Sequence, residues 1–236
     1  MVNNWLHTIQ SLVYPPTCIL CGAPGDKEQD LCVNCRHDLP HNTNPCLKCA
    51  LPLPATTSSI CGQCQQQPPQ YNLCLAAFRY EYPLEHLVSG FKFRDKLAYG
   101  RLLSTLLGDY LEQRSEIPEL LIPVPLHSAR LRERGFNQAL ELARPLSQRF
   151  DIPIDSHTAI RNRPTVSQLG LNKQERRCNI RGAFELAGKL TAKHIAIIDD
   201  VVTTGNTVSE LAAVLLRSGV TRVDVWAVGR RAHHGN

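Results

Sequence analysis

Eight of the ten cysteines in this 236-residue sequence form four Cys-x-x-Cys pairs in its first third. The pairs are Cys18/Cys21, Cys32/Cys35, Cys46/Cys49 and Cys61/Cys64. Two thiolates at this spacing can bind one metal ion through a tight turn, so two pairs complete a tetrahedral four-sulfur site. The spacing therefore predicts two structural Zn²⁺ ions. Such sites leave no position for water or a substrate, which favours a role in folding over catalysis.

Joining neighbouring pairs is the simplest arrangement, with Cys18, Cys21, Cys32 and Cys35 on one zinc and Cys46, Cys49, Cys61 and Cys64 on the other. An interleaved arrangement is also compatible with the sequence. Iron–sulfur clusters and dithiol redox centres compete with zinc for such motifs, but each thioredoxin-like motif would need a βαβ context that this region lacks.

A second group of reactive residues follows an aliphatic stretch, in the segment IAIIDDVVTTGNT (195–207). A glycine-containing loop that enters a helix can hold a phosphate with its backbone N–H groups. Asp199 and Asp200 come at the carboxyl end of the predicted strand, where open α/β sheets bind ligands, and carboxylates there can accept hydrogen bonds from vicinal hydroxyls. Together these features predict a 5-phosphoribosyl ligand. The loop residues are Thr203, Thr204, Gly205, Asn206 and Thr207.

The elements that must position these residues follow from hydrophobic periodicity. Buried-type strands are predicted over 73–82, 120–126, 194–202 and 222–229, and helices over 84–93, 97–111, 137–150 and 207–217. Aliphatic strands that alternate with helices indicate a parallel sheet covered on both faces. The fold class is therefore α/β, with residues 71–236 forming this domain after a small Cys-rich ribbon over residues 1–70.

The composition narrows the class of protein further. The sequence has a net charge of +5, and residues 127–182 hold eleven Lys or Arg against five Asp or Glu. It contains neither an apolar run long enough to span a membrane nor a secretory signal, so we expect no membrane insertion and a cytoplasmic location. A reducing compartment also favours metal ligation over disulfides for the cysteines.

The motifs resemble a known family. An aliphatic strand, Asp-Asp, two aliphatics and Thr-Thr-Gly-x-Thr match the phosphoribosyl pyrophosphate (PRPP) motif of type I phosphoribosyltransferases at every position. The CxxC ribbon, FKFRDK (91–96), IPVPL followed by RERGFNQ, and RNRPTVSQLGLNKQERRCNIRGAF (161–184) together resemble the ComF family, the ComFC/GntX-like proteins. The resemblance covers nearly the whole chain. It implies a type I phosphoribosyltransferase-like sheet, a double zinc ribbon and a link to competence and the uptake or use of external DNA.

The resemblance also implies roles for individual residues. A pyrophosphate loop would run from Pro123 to Ser128 and include Pro125, with Arg134 nearby, and Mg²⁺ would bind together with PRPP. The basic segment 161–181 would be a mobile lid that contributes Arg163, Gln168 and Arg176. Asp199, Asp200, Arg134 and Arg176 are the expected catalytic residues.

Three functions remain open from the sequence. The first is a Mg²⁺-dependent phosphoribosyltransferase with an unknown acceptor. The second is a non-catalytic module that binds single-stranded DNA and keeps the PRPP pocket for binding only, with Phe91, Phe93 and Phe136 as candidates for stacking on bases. The third is a docking platform, through the ribbon, for a helicase-like competence protein.

Overall fold

Four parallel strands form the central sheet of this computed structural model, in the order β1-β6-β5-β2. The structure describes residues 15–26, 29–55, 59–93, 97–113, 116–163 and 180–232. The sheet strands are β1 (Leu73–Arg79), β2 (Leu120–Pro123), β5 (His194–Val202) and β6 (Arg222–Arg230). Two further strands, β3 (Ala159–Arg161) and β4 (Phe184–Leu186), pair with each other antiparallel.

Helices connect the strands and cover both faces of the sheet. They are α1 (Val33–His37), α2 (Gly62–Gln66), α3 (Leu84–Phe93), α4 (Leu97–Leu111), α5 (Ser128–Arg134), α6 (Gln138–Phe150) and α7 (Asn206–Arg217). Helices α3, α4 and α6 pack on one face, and α7 packs on the other together with β3 and β4. In α7 the buried residues Val208, Leu211, Ala212 and Leu215 recur every three or four positions, which gives one apolar face.

The predicted α/β class with a parallel sheet is confirmed. Helices α3 and α4 and strand β5 have the predicted bounds, whereas β2 ends at Pro123 instead of Leu126. The short helix α5, which holds the arginines after the predicted pyrophosphate loop, and the β3/β4 pair were not predicted. In the part of the chain that the structure describes, no helix is both long enough and apolar enough to cross a bilayer.

The Cys-rich segment wraps around the β1 edge of the sheet. Residues 42–48, which lead into the second cysteine group, run beside β1, where the Asn42 amide donates to the Ala77 carbonyl (3.0 Å) and the Cys74 amide donates to the Lys48 carbonyl (2.9 Å). The first cysteine group belongs to the core that contains α3 and α4, and the second to the core that contains α7. The ribbon therefore covers an edge that would otherwise expose unpaired backbone groups.

Candidate functional site

The acidic pair lies at the carboxyl edge of the sheet, the edge where all four parallel strands end. Asp199 and Asp200 are the sixth and seventh residues of β5. The Asp200 amide donates to Oδ1 of Asp199 (2.9 Å), and the Val201 amide donates to Oδ1 of Asp200 (2.6 Å). Each carboxylate thus keeps a second oxygen for another partner.

Lys92, in the last turn of α3, supplies the partner of Asp200. Its Nζ lies 2.7 Å from Oδ2 of Asp200, and the two side chains are only 23% and 10% exposed. Burial acts to lower the pKa of Lys92, but the charges of Asp200 and Asp199 outweigh it and raise that pKa. The ammonium is therefore kept protonated beside the acidic pair.

Asp199 has a different environment from Asp200. Burial and the neighbouring Asp200 charge raise the pKa of Asp199 to about 7, against the opposing charges of Lys92 and Arg161. Arg161 is the last residue of β3, where its guanidinium lies 5.7 Å from the centre of the Phe184 ring. Three elements, β5, α3 and β3, therefore bring the acids and cations of this pocket together.

Arg134 also faces the acidic pair. It ends α5, immediately before Gly135, which adopts a left-handed conformation with φ of 80°. Its Nη1 donates to Oε1 of Gln138 (2.7 Å). Burial and the charge of Arg130 lower the pKa of Arg134, and the charge of Asp200 opposes that shift. The structure thus places this predicted residue within electrostatic reach of Asp200.

The predicted phosphate loop, residues 203–207, joins β5 to α7. Gly205 is the N-cap of α7 with φ of 79°, and no side chain caps this helix among the described residues. The hydroxyl of Thr204 lies 3.5 Å from the Asn206 amide. The loop is half-buried, so its amides and hydroxyls lie beside solvent at the positive end of a helix.

The other predicted site residues differ in burial, and two of them lie outside the described residues. Pro125 is buried in the loop after β2. Arg163 is exposed, and its guanidinium donates to the carbonyl of Arg181. Gln168 and Arg176 lie outside the described residues. The arrangement therefore brings Asp199, Asp200 and Arg134 together, and it places Arg163 at the start of the segment predicted as a lid.

One of the expected base-stacking residues is inaccessible to a base. Phe91 is fully buried, with its ring 5.6 Å from that of Phe136, so the expectation for Phe91 is wrong. A packing role within the core explains its place in α3. The side chain of Phe93 lies outside the described residues.

The eight cysteines form two compact groups from neighbouring pairs, one of Cys18, Cys21, Cys32 and Cys35 and the other of Cys46, Cys49, Cys61 and Cys64. The sulfur atoms of each group all lie within 4.8 Å of one another. In each group two sulfurs are 3.7 Å apart, as in the pairs Cys21/Cys32 and Cys49/Cys61. Tetrahedral zinc with bonds of about 2.3 Å has sulfur–sulfur edges of about 3.8 Å, so both groups fit structural zinc and neither fits a disulfide.

A cleft of about 1170 Å³ separates the second cysteine group from α7. The phosphate loop lines one end of this cleft through Thr204, Gly205 and Asn206. Its other walls include the glutamines that follow Gly62 and the exposed arginines Arg181 and Arg217. The lining carries three arginines, Arg181, Arg217 and Arg230, against one acid, Glu210, so the cleft is basic.

Sequence reasoning missed three cations at this edge: Lys92, Arg161 and Arg230. Lys92 and Arg161 lie within segments that carried the family resemblance, FKFRDK and RNRPTVS, but nothing in their spacing relates them to Asp199 or Asp200. Arg230 ends β6 and is 2% exposed. A charged residue directly after the apolar run VWAVG (225–229) was the available signal for it.

The parallel sheet, the cysteine groups and the acidic pair with its loop define the class of this protein. A model of the double zinc ribbon domain matches residues 9–65, and a model of the phosphoribosyl transferase domain matches residues 137–234. Together with the parallel sheet, these matches make the chain a phosphoribosyltransferase-fold protein with an N-terminal double zinc ribbon.

Full-length relatives identify the family within that class. DNA utilization protein YhgH of Salmonella typhimurium is 36% identical over 225 residues, which cover 93% of this chain and 99% of that protein. Competence protein F of Haemophilus influenzae is 36% identical over 180 residues, 72% of this chain and 78% of that protein. Competence protein ComFC of Bacillus subtilis is 26% identical over 203 residues, 81% and 80% of the two chains. The chain belongs to the ComF family.

Proposed function

We propose that this protein binds PRPP together with Mg²⁺ at the carboxyl edge of its sheet and serves the uptake or utilisation of external DNA. One observation carries the PRPP assignment: the uncapped start of α7, which suits a phosphate, follows directly on a carboxylate pair, which suits a ribose diol. The names of the relatives, DNA utilization protein and competence protein, support the link to DNA.

The charges of the pocket fit the two ends of PRPP. The amides and hydroxyls of residues 203–207 would hold the 5-phosphate. Asp199 and Asp200 would accept hydrogen bonds from the ribose hydroxyls. Arg134 and the loop that contains Pro125 would face the pyrophosphate, whose charge Mg²⁺ would share, and Arg163, Gln168 and Arg176 would act from the lid segment.

Phosphoribosyl transfer is the reaction that such a pocket would support. The bond from C1 of ribose to pyrophosphate breaks, and its electron pair leaves with the pyrophosphate oxygen. A lone pair of the acceptor, an amine or hydroxyl nucleophile, forms the new bond to C1, and the acceptor's proton passes to solvent. Arg134 and Arg176 would stabilise the leaving anion, while Asp199 and Asp200 hold the sugar in place.

Calorimetric titration of PRPP with Mg²⁺ tests this proposal. We expect the wild type to bind and an Asp199→Asn, Asp200→Asn double variant of unchanged zinc content and circular dichroism to lose binding. Ribose 5-phosphate, titrated alone, isolates the contribution of the phosphate loop and the acidic pair from that of the pyrophosphate. Absence of PRPP binding to the wild type would refute the assignment, and release of pyrophosphate with candidate acceptors would identify the reaction.

The cleft beside the second cysteine group favours a second candidate function, the binding of single-stranded DNA. Arg181 and Arg217 are exposed along it, and such cations can contact a phosphate backbone. An Arg181→Glu, Arg217→Glu variant should then bind a labelled oligonucleotide more weakly, in a manner that depends on salt, while PRPP binding persists. Equal binding by variant and wild type would exclude this surface.

Docking of a helicase-like protein is tested best on the ribbon surface. Deleting residues 1–68 would uncover the β1 edge and remove parts of both cores, so that deletion would unfold the protein. Val33 and Leu47 are 61% and 57% exposed, so we expect their replacement by Asp to leave the fold intact. Retained recruitment by a Val33→Asp, Leu47→Asp variant would argue against docking through these two positions.

A further inference from the structure

We propose that Arg230 is a positioning residue through which the second zinc ribbon, residues 46–71, holds the phosphate loop in its ligand-binding conformation. The role of the loop in binding PRPP rests on the proposed function. The hydrogen bonds that connect the second ribbon to the loop do not rest on that function, because they belong to the fold itself.

The contacts of Arg230 join the two parts directly. Arg230 is the last residue of β6 and lies beside Val202 of β5 in the sheet register. Its Nε donates to the carbonyl of Cys49 (2.8 Å), and its Nη1 donates to the carbonyls of Val202 (3.1 Å) and Thr203. One side chain therefore bonds a residue of the second cysteine group and the first residue of the phosphate loop.

The chemistry of these contacts suits arginine. A guanidinium carries five donors in a rigid plane, so it can serve several acceptors at once, whereas a lysine ammonium is a compact point charge. The same Nη1 also donates to the carbonyl of Arg231 (3.0 Å). All the hydrogen-bond acceptors of Arg230 in the described part of the chain are backbone carbonyls.

The second zinc site offers the countercharge that these neutral carbonyls lack. Zinc with four thiolates carries a net charge of about −2, and Cys49, whose carbonyl Arg230 contacts, is one of the four residues of that group. A buried cation next to an anionic metal centre is favourable to both, so loss of the metal would leave Arg230 without its countercharge.

Two smaller contacts continue the same connection. The Gln70 amide donates to Oγ of Ser209 in the first turn of α7 (3.1 Å). A Cβ atom at Gly205 would lie 3.4 Å from the Tyr71 hydroxyl, so the end of the ribbon reaches the loop backbone. The second ribbon is thus connected to the loop region at its start, through Cys49 and Arg230, and at its end, through Gln70 and Tyr71.

The described part of the first ribbon is attached elsewhere. It attaches to the opposite face through Arg36, whose Nη1 lies 3.0 Å from Oδ2 of Asp109 in α4. Arg36 and Arg230 are therefore matched links, each between one ribbon and the sheet domain, and only Arg230 contacts the phosphate loop. We expect the two zinc ions to differ accordingly in their effect on the loop.

Amide hydrogen exchange measured on the zinc-loaded full chain tests the proposal without any ligand. We expect Arg230→Met to accelerate exchange in peptides covering residues 199–209 by about tenfold or more, because several buried carbonyls lose their donor. Arg230→Lys should fall between Arg230→Met and the wild type, and Arg36→Met should leave these peptides unchanged. Unchanged exchange in Arg230→Met, or an equal effect of Arg36→Met, would overturn the proposal.

A second pair of variants acts on the metal sites and covers the case in which Arg230→Met fails to fold. Cys64→Ser should accelerate exchange in residues 199–209, whereas Cys35→Ser should affect only the first ribbon and α4. Equal effects of the two cysteine variants on residues 199–209 would contradict the proposal.

Thermodynamic linkage between PRPP binding and zinc binding provides a further measurement. Because coupling between two sites is mutual, PRPP with Mg²⁺ should slow the transfer of one of the two zinc ions to a colorimetric chelator, and Arg230→Met should abolish that protection. Protection of both ions, or of neither in a wild type that binds PRPP, would contradict the inference. A wild type that shows no PRPP binding would refute the proposed function, while the exchange experiments would still decide the role of Arg230.

Discussion

Nζ of Lys92 lies 2.7 Å from Oδ2 of Asp200, at the point where the end of α3 meets the carboxyl edge of the sheet. The contact connects a helix that precedes β2 to the strand that carries the acidic pair. Asp199, beside it, has a pKa raised to about 7 by burial and by the Asp200 charge. Lys92 therefore compensates part of the repulsion between two adjacent carboxylates.

Replacing Lys92 should weaken the acidic pair as a ribose site. Lys92→Met leaves two carboxylates without their ammonium partner, so we expect the pKa of Asp199 to rise further and PRPP affinity at neutral pH to fall about tenfold or more. The free energy of unfolding should decrease by roughly 1–3 kcal/mol. Calorimetry and chemical denaturation measure the two effects.

Lys92→Arg is the matched control, because it keeps the positive charge beside Asp200. It should retain much of the PRPP affinity that Lys92→Met loses. Equal loss in both variants would show that the length of the lysine side chain matters and that its charge does not.

PRPP affinity should rise with pH around neutrality. The ribose hydroxyls donate to carboxylates, so binding favours ionised Asp199, whose pKa of about 7 lies above the ordinary value of 3.8. One linked proton allows at most a tenfold change per pH unit below about pH 7, and the affinity should level off above that pH. Because PRPP phosphates also titrate near pH 6, Asp199→Asn serves as the reference. A wild type with the same pH profile as this variant would exclude Asp199 as the titrating group.

The raised pKa of Asp199 also makes the free energy of unfolding depend on pH. Between about pH 4 and 7 the folded chain keeps a proton on Asp199 that the unfolded chain has already lost. The contribution of Asp199 to the free energy of unfolding therefore decreases as the pH rises through this window. Denaturation curves of the wild type and Asp199→Asn should diverge with rising pH, the wild type becoming relatively less stable. Parallel curves would contradict the assignment.

Gly205 should be essential to the phosphate loop. Its φ of 79° disfavours any residue with a side chain, and a Cβ there would lie 3.4 Å from the Tyr71 hydroxyl. We expect Gly205→Ala to cost about 1–2 kcal/mol of stability and to weaken PRPP binding. Gly219→Ala is the matched control, since Gly219 has φ of 99° at the far end of α7, and a Cβ added there would meet no atom within 4 Å. It should cost stability alone, and loss of binding in both variants would point to a global effect.

The metal content of the protein follows from its two cysteine groups. Elemental analysis of the purified chain should give two zinc ions, and Cys35→Ser or Cys64→Ser should each leave about one. Chelation of both ions should unfold the ribbon and lower the melting temperature, because zinc binding supplies folding free energy to small sites of this kind. One zinc ion in the wild type would contradict the assignment of eight ligands.

Local features of the fold were accessible from the sequence because each depends on a short pattern. The bounds of α3, α4 and β5 follow from hydrophobic periodicity over a few turns or residues. The cysteine spacing indicated four metal-binding pairs, and the Asp-Asp-x-x-Thr-Thr-Gly segment indicated a phosphate loop. The short helix α5 was missed because seven residues rich in arginine carry little apolar periodicity.

The sequence by itself determined the class of fold, the four Cys-x-x-Cys pairs and the strand, loop and helix that carry the acidic pair, since these are set by residues close together in the chain. The tertiary structure decided which of the cysteine pairs group together. Only the tertiary structure decided which distant cations face that pair and how the ribbon meets the loop. Arg230 contacts Cys49 across 181 positions, and Lys92 reaches Asp200 from another element. Such contacts depend on which faces of the elements pack together at the carboxyl edge of the sheet, and no local spacing encodes that packing.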